Sequence, residues 1–583
     1  MWTKNLNLIS FYASFIALGI MIFEAGFYKE LLYKTNVIYF YDFSFILTGV
    51  NIILYNIRKK ENFLKKISYL EIGVLLLILL YYIARIEYSF WESTTFSFFN
   101  KRIIYILIIS CFLRDFSSLK IDFKKAVINP AQLFILSFFG IILIGAGFLM
   151  MPNATVKGIL PLDALFTATS AVCVTGLTVL DTSKEFTTFG KIIILTLIQV
   201  GGLGIMTFAS YFSYFFRGTG SYANQITLSE MTSSDKLGDV FNTLKRIIII
   251  TLTIEFFGAV IIYSTLDLGL LNNSVNQGIF FSVFHSISSF CNAGFSTLSG
   301  NLYERGYQFN YSLHLIIAAL FIFGGLGFPI VYNVYKYFRH LFIKNILIYF
   351  KKEQKQHIPW VVNLNSRIIL ATTLILLIGG TALIYILEKD GVLKGHSTFG
   401  AIVEAFFISA SNRTAGFNTV DLTSIGAPAL LICIFLMWVG ASPASTGGGV
   451  KTSTLAIATL NILSLARGKK RTEIFRREIS DNSIRRAFAI IALSLIIIGF
   501  CIFLLVIVEK DKDILALAFE AFSAYSTVGL SINITPYLSD YGKVIIIALM
   551  FIGRVSMFSL LIAVMKSEKY FNYRYPKEEI LIN

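Results

Sequence analysis

The chain has 583 residues, 56% of them hydrophobic and only 14% charged, at a mean hydropathy of +0.72. Soluble domains carry about 25% charged residues, so the composition excludes a water-soluble globular protein and predicts an all-α polytopic membrane protein. The formal net charge of +16 then reads as membrane topology, with lipid rather than nucleic acid as the surrounding partner.

Four apolar runs come first, near 7–27, 36–57, 68–86 and 102–115. The first has no small-residue cleavage site close behind it, which predicts a retained helix rather than a signal peptide. Arg58, Lys59, Lys60, Lys65 and Lys66 lie between the second and third runs, and Arg114, Lys120, Lys124 and Lys125 end or follow the fourth. Basic loops stay cytoplasmic, so the N-terminus is expected inside. A voltage sensor needs regularly spaced arginines on one helix. Arg85, Arg102 and Arg114 lie on different segments or ends, so residues 1–129 read as accessory transmembrane helices.

From 130 onward one unit recurs four times, over 130–220, 221–340, 341–470 and 471–583. Each unit has a long apolar helix, a short helix, a glycine segment and a second long helix. The short helices, at 162–172, 278–290, 400–411 and 515–525, cannot cross a bilayer that needs about 20 residues, so they must enter and turn back. Such backbone is tolerated only where protein buries it or a watery cavity adjoins it. The glycine segments align on Gly176, Gly294, Gly416 and Gly529. Each glycine is followed by Leu or Phe (Leu177, Phe295, Phe417, Leu530) and then by a small polar residue (Thr178, Ser296, Asn418, Ser531). At fixed offsets before it stand a Phe (Phe166, Phe284, Phe406, Phe519) and a small residue (Ser170, Ser288, Ala410, Ser523). Basic residues gather between units, from Lys236 to Arg246, Lys336 to Lys355 and Arg467 to Arg486, and in the tail after Lys566. Every unit should therefore start and end inside, giving twelve spanning and four re-entrant segments, cytoplasmic termini and glycine segments facing out.

Four such segments around one axis predict a pseudo-fourfold pore. A cation that crosses a membrane exchanges its water for oxygens, and rings of backbone carbonyls supply them. Glycine permits the positive φ and close approach that a carbonyl-lined strand requires. Each short helix directs its partly negative C-terminal end at the cavity. Thr175, Thr178, Ser296, Thr414, Thr527 and Ser531 are suited to lining or supporting it. The second long helix of the third unit is interrupted by Gly440, Ala441, Ser442, Pro443, Ala444, Ser445, Thr446, Gly447, Gly448, Gly449, Val450 and Lys451. Proline costs about 3 kcal/mol and each glycine about 1 kcal/mol in a helix interior, so this stretch should form a loop that lines the cavity below the ring. It lacks the residue order of a phosphate loop. Arg554 lies inside the last spanning helix, where a charge costs about 2.5–3.5 kcal/mol and marks function by default. Glu255 reads equally as a structural pair or an ion-coupling group. Glu404 and Glu520, on short helices, read as cation concentrators or braces. His285 reads as packing, and Cys111, Cys173, Cys291, Cys433 and Cys501, which lack metal-ligand spacing, as buried small hydrophobes.

From about 130 to 570 the chain resembles the Trk/Ktr/HKT superfamily of potassium uptake proteins. Its four filter segments are similar to Val174-Thr175-Gly176-Leu177, Asn292-Ala293-Gly294-Phe295, Thr414-Ala415-Gly416-Phe417 and Thr527-Val528-Gly529-Leu530. The glycine-rich interruption is similar to the family's intramembrane gating loop in its Ktr-branch form, with Ala441 and Ala444 where Gly is expected. Arg554 matches the family's pore arginine, although Ser556-Met557 follows where Gly-Pro is usual. The resemblance implies four helix–pore-loop–helix repeats behind four extra helices, in a plasma (inner) membrane. It implies potassium as substrate, held by filter carbonyls, and a gate formed by Gly440, Ser445, Thr446, Gly447, Gly448, Gly449, Lys451 and Arg554. It further implies a homodimer with one pore per subunit and a cytosolic nucleotide-binding regulatory ring (KtrA/TrkA-like). Nucleotide is then expected on that partner only, with no covalent cofactor. Some members with Ser at the first filter glycine favour sodium, so Gly176 points to potassium. A sodium-conducting relative is the alternative within the class. A polytopic membrane enzyme would need a carboxylate or histidine constellation on a long loop, and none is evident, so no enzymatic activity is expected.

Overall fold

The computed structural model describes residues 2–27, 35–58, 69–90, 94–118, 130–215, 240–271, 273–328, 330–333, 337, 364–443 and 445–555. The protein is a mostly helical, polytopic membrane protein. Among the described residues, five helices are long and apolar enough to cross a membrane: Leu6–Phe27, Val37–Leu54, Lys245–Thr265, Leu364–Glu388 and Asp481–Val508. The basic clusters expected at 59–66, 120–125, 338–355 and 566–577 lie outside the described residues, as does Ala444.

The chain forms two compact units. The first comprises Met1–Lys124 and Met151–Gly158. Its helices are α1 (Trp2–Phe27), α2 (Thr35–Arg58), α3 (Tyr69–Phe90) and α4 (Thr94–Ser118), closed around Phe45, Ile52, Val74 and Leu107. Two of its interior carboxylates are ion-paired. Asp115 accepts hydrogen bonds from Ser10 (2.7 Å), Thr48 (3.1 Å) and Arg114 (2.8 Å). Asp42 pairs with Arg85 and accepts from the Tyr81 hydroxyl at 3.0 Å. The side chain of Arg102 is outside the described residues.

The second unit comprises Lys125–Met150 and Ile159–Asn583. Its helices are α5 (Pro130–Leu149), α6 (Pro161–Val172), α7 (Thr188–Phe215), α8 (Val240–Thr265), α9 (Val275–Phe290), α10 (Tyr311–Leu326), α11 (Leu364–Glu388), α12 (Thr398–Ser411), α13 (Ala427–Trp438), α14 (Thr452–Ala466), α15 (Asp481–Val508), α16 (Ile514–Tyr525) and α17 (Asp540–Val555). Local chemistry starts the short helices. Pro161 opens α6, and the side chains of Ser274, Ser397 and Asp513 accept from first-turn N–H groups of α9, α12 and α16, satisfying donors that a helix start leaves free. Large apolar side chains such as Ile375, Ile378 and Ile496 point outward and are exposed, as expected of a surface solvated by lipid.

Two expectations need correction. The second long helix of the second unit, expected to run over 311–338, is interrupted: α10 ends at Leu326, Gly327 follows with φ 77° and ψ 153°, a conformation open essentially to glycine alone, and helical backbone resumes at 328 and 330–333. The unit is also not purely helical: Glu473–Ile474 pairs antiparallel with Arg477–Glu478, closed by positive φ at Phe475 and Arg476.

Candidate functional site

The four glycine segments follow the C-terminal ends of α6, α9, α12 and α16. They close into a ring. A Cβ on Gly176 would overlap the Ala293 carbonyl oxygen, one on Gly294 would lie 2.9 Å from that of Ala415, one on Gly416 would overlap that of Val528, and one on Gly529 that of Thr175. Each glycine thus abuts the carbonyl just before the next glycine, in cyclic order. All four adopt positive φ (95°, 68°, 73° and 90° for Gly176, Gly294, Gly416 and Gly529). So do the residues two positions earlier: Val174 (57°), Asn292 (60°), Thr414 (141°) and Thr527 (50°). Left-handed backbone is costly for non-glycine residues, above all for a β-branched one such as Val174. Left-handed residues at every second position break the up–down alternation of an ordinary strand.

Serines hold these segments. The Ser170 and Ser523 hydroxyls accept from Gly176 N and Gly529 N, both at 3.1 Å, whereas Ser288 donates to Phe295 O at 2.7 Å. The third unit has Ala410 at this position, and its neighbour Ser411 takes over, donating to Phe417 O at 2.5 Å. The second helices approach just as tightly. A Cβ on Gly201, Gly324 or Gly553 would overlap the carbonyl of Val172, Phe290 or Tyr525, the last residue of a short helix in each case. Sequence reading missed this second set of glycines. Their recurrence at similar distances after the ring glycines was the available signal.

On one side of the ring lies a cavity of about 540 Å³, its mouth, lined by all four ring glycines, by Thr178, Ser296, Asn418 and Ser531, and by Asp181 and Asp421. Asp421 accepts from the Thr423 hydroxyl (2.7 Å), Thr423 N (3.0 Å) and the Ser424 hydroxyl (3.1 Å). The Thr423 bond foremost holds its carboxyl below the usual range and keeps it charged at the mouth.

The short helices are anchored in two ways. In the first and third units they are tied to the preceding unit's second helix: Asp163 to Lys543 (2.7 Å) and Glu404 to His314 (2.7 Å). In the second and fourth they are tied to their own segment: His285 to Ser296 (2.9 Å), and Glu520 to Thr535, which lies 2.9 Å from Ser531. Glu404 and Glu520 are fully buried and each holds a partner from another element, His314 and Thr535, the contacts of a brace. His285 is more than packing.

The glycine-rich loop is where the sequence places it, between α13 and α14. Val450 N donates to Trp438 O (3.1 Å) and Ser442 N to Gly325 O (3.0 Å). A Cβ on Gly447 would lie 2.7 Å from the Thr414 hydroxyl, and one on Gly448 would overlap that of Thr527. With its side-chain amide oriented to satisfy its neighbours, Asn292 donates to the Thr446 hydroxyl (3.2 Å) and Phe321 O (3.0 Å) and accepts from Thr414 (2.6 Å). The loop therefore touches the residues before the glycines and lies across the ring from the mouth. Its carbonyls are capped by cations. Arg554 donates to Thr446 O and, at 2.8 Å, to Gly201 O, and Lys451 donates to Gly447 O at 2.5 Å. Arg554 is thus pinned to the loop and to α7. Arg413, given no role from sequence, is buried and donates to Gly440 O at 3.4 Å. Its signal was a lone cation at a position that is Cys173, Cys291 or Ser526 in the other units. The carboxylate of Glu255 accepts from Gln199 on α7 at 3.1 Å, a structural pair. The five cysteines are free and buried.

A family profile described as TrkH, cation transport protein, matches residues 97–573. The Ktr system potassium uptake protein B of Vibrio alginolyticus is 37% identical over 464 residues, 78% of this chain and 96% of that protein. The potassium/sodium uptake protein NtpJ of Enterococcus hirae is 36% identical over 472 residues, 79% of this chain and 99% of that protein. The crystal structure of the potassium transporter TrkH from Vibrio parahaemolyticus has the same fold at a TM-score of 0.59 and 18% identity, covering 85% of this chain and 98% of that one.

Proposed function

This chain belongs to the TrkH family of cation transport proteins, and from that premise we propose that it is the ion-conducting subunit of a Ktr-type potassium uptake system. The observation that carries this reading is the closed ring of glycine–carbonyl contacts. It supports four helix–pore-loop–helix repeats around one pseudo-fourfold pore. Dehydrated potassium is coordinated there by backbone carbonyls of Val174 to Leu177, Asn292 to Phe295, Thr414 to Phe417 and Thr527 to Leu530, with no resident cofactor. The loop at 440–451, with Lys451 and Arg554 on its carbonyls, is the gate on the cytoplasmic side. The subunit works as a homodimer in the plasma membrane with both termini inside. A cytosolic nucleotide-binding ring regulates it, in keeping with relatives named as one protein of a system. Sodium conduction is the second reading, because one similar relative is named for both ions.

Growth of a potassium-uptake-deficient host on low potassium tests the proposal, with and without a co-expressed regulatory ring protein. Rescue that depends on potassium and improves with the partner is expected. Rescue of sodium-limited growth alone would favour the second reading, and no rescue of either would overturn the first.

A further inference from the structure

The residues two positions beyond the ring glycines form a second tier of oxygens on the mouth cavity: Thr178, Ser296, Asn418 and Ser531. Two of them are set by buried groups on their own short helices. His285 is fully buried. Its Nδ1 lies 2.9 Å from Phe281 O, which can only accept, so Nδ1 carries the hydrogen. In the neutral ring Nε2 is then an acceptor, and at 2.9 Å it takes the Ser296 hydroxyl hydrogen. The Ser296 oxygen also accepts from Leu298 N at 3.0 Å. In the fourth unit Thr535 gives its single hydrogen to the buried Glu520 carboxyl. Its oxygen is left to take the Ser531 hydroxyl hydrogen across 2.9 Å, while Ser531 accepts from Ile534 N at 3.3 Å. A hydroxyl has one donor and two acceptor positions. Both serines therefore spend their hydrogen inward, use one lone pair on backbone and have one lone pair left at the cavity. Asn418 likewise spends an amide N–H on Val420 O at 3.3 Å.

We infer that Ser296 and Ser531, oriented by His285 and by Glu520 through Thr535, form an outer binding site for a partly dehydrated monovalent cation, one tier above the carbonyl ring. The ring order 1-2-3-4 puts the second and fourth segments opposite one another, so the two oxygens face a cation from opposite sides. A freely rotating hydroxyl would turn its hydrogen toward a neighbouring backbone acceptor or a water and would have to be reoriented for each ion. One whose hydrogen is already committed inward is ready as a ligand. His285 and Glu520 are positioning residues in this arrangement. The inference rests on the potassium reading of the ring.

The test is rubidium uptake by the full chain in proteoliposomes at matched protein density, with KM and maximal rate measured separately. Ser296→Ala/Ser531→Ala is expected to raise KM roughly three- to tenfold, the loss of one to two oxygen contacts, with the maximal rate within about twofold. Ser296→Thr/Ser531→Thr retains the hydroxyls and should keep KM near that of the unaltered chain. His285→Phe removes the acceptor of the Ser296 hydrogen, and Glu520→Leu frees the Thr535 hydrogen to point at Ser531; both should raise KM in the same way. Rubidium protection against thermal unfolding, read on the same purified variants, should shift to higher concentration in parallel and reports binding even where flux is lost. An unchanged KM and unchanged protection in the double alanine variant would overturn the outer site. Absence of rubidium uptake by the unaltered chain would overturn the potassium reading instead.

Discussion

A methyl group at a ring glycine meets a carbonyl oxygen and a left-handed backbone at once. Positive φ at a non-glycine residue costs about 1–3 kcal/mol where the fold enforces it, and the overlap pushes the neighbouring carbonyl off the axis. Gly529→Ala, Gly176→Ser and Gly416→Ala, whose Cβ would overlap the next carbonyl, should lose potassium preference over sodium more severely than Gly294→Ala, where the nearest oxygen is 2.9 Å away. Rubidium uptake against rising sodium ranks the four. The glycines and their Phe and Ser companions were legible because each repeats in register. The left-handed Val174, Asn292, Thr414 and Thr527 were not, since local propensity opposes that conformation and only closure of the ring imposes it.

Among elements, the loop at 440–451 is the one proposed above as the gate. Its backbone is held by three cations from different helices or segments, Arg413, Lys451 and Arg554. Deleting Gly447–Gly449 should raise flux and reduce its dependence on a regulatory partner. Arg554→Ala removes one clamp and leaves Lys451, so flux should rise by less, with regulation partly kept; ion flux into proteoliposomes compares the two. Regulated flux that survives the loop deletion would place the gate elsewhere. A different result is expected where helices touch without a loop: Gly553→Leu drives a side chain into the Tyr525 carbonyl and should abolish stable assembly, seen as loss of a monodisperse peak on size-exclusion chromatography. The break itself was legible from three glycines and a proline. That Arg554 and Thr446 belong together was implied by the resemblance, whereas their hydrogen bond is made only by the fold, and the break after α10 was missed because Gly324, Gly325 and Gly327 sit in an otherwise continuous apolar run.

At the scale of the molecule, the contact that completes the second unit joins its beginning to its end. Lys543 of α17 reaches Asp163 of α6 at 2.7 Å, both buried. Removing Lys543 leaves the buried Asp163 charge uncompensated and costs about 3–5 kcal/mol, whereas removing Asp163 leaves Lys543 the exposed Asp540 at 3.8 Å and should cost less. Lys543→Met alone should therefore lower the thermal unfolding midpoint in detergent markedly, Asp163→Asn by less, and the double variant should recover most of the loss. The four recurring glycine segments could be read from the sequence, but the alternation of anchoring, with short helices braced on neighbours at the first and third segments and on their own segment at the second and fourth, needed side-chain geometry. The same end-to-end closure bears on how the protein is made. Gly529 meets Thr175, so the ring has a missing wall until the last helices have left the ribosome and entered the bilayer. A growing chain therefore carries the first three segments without the fourth, and the ring of glycine–carbonyl contacts closes only at the end of synthesis.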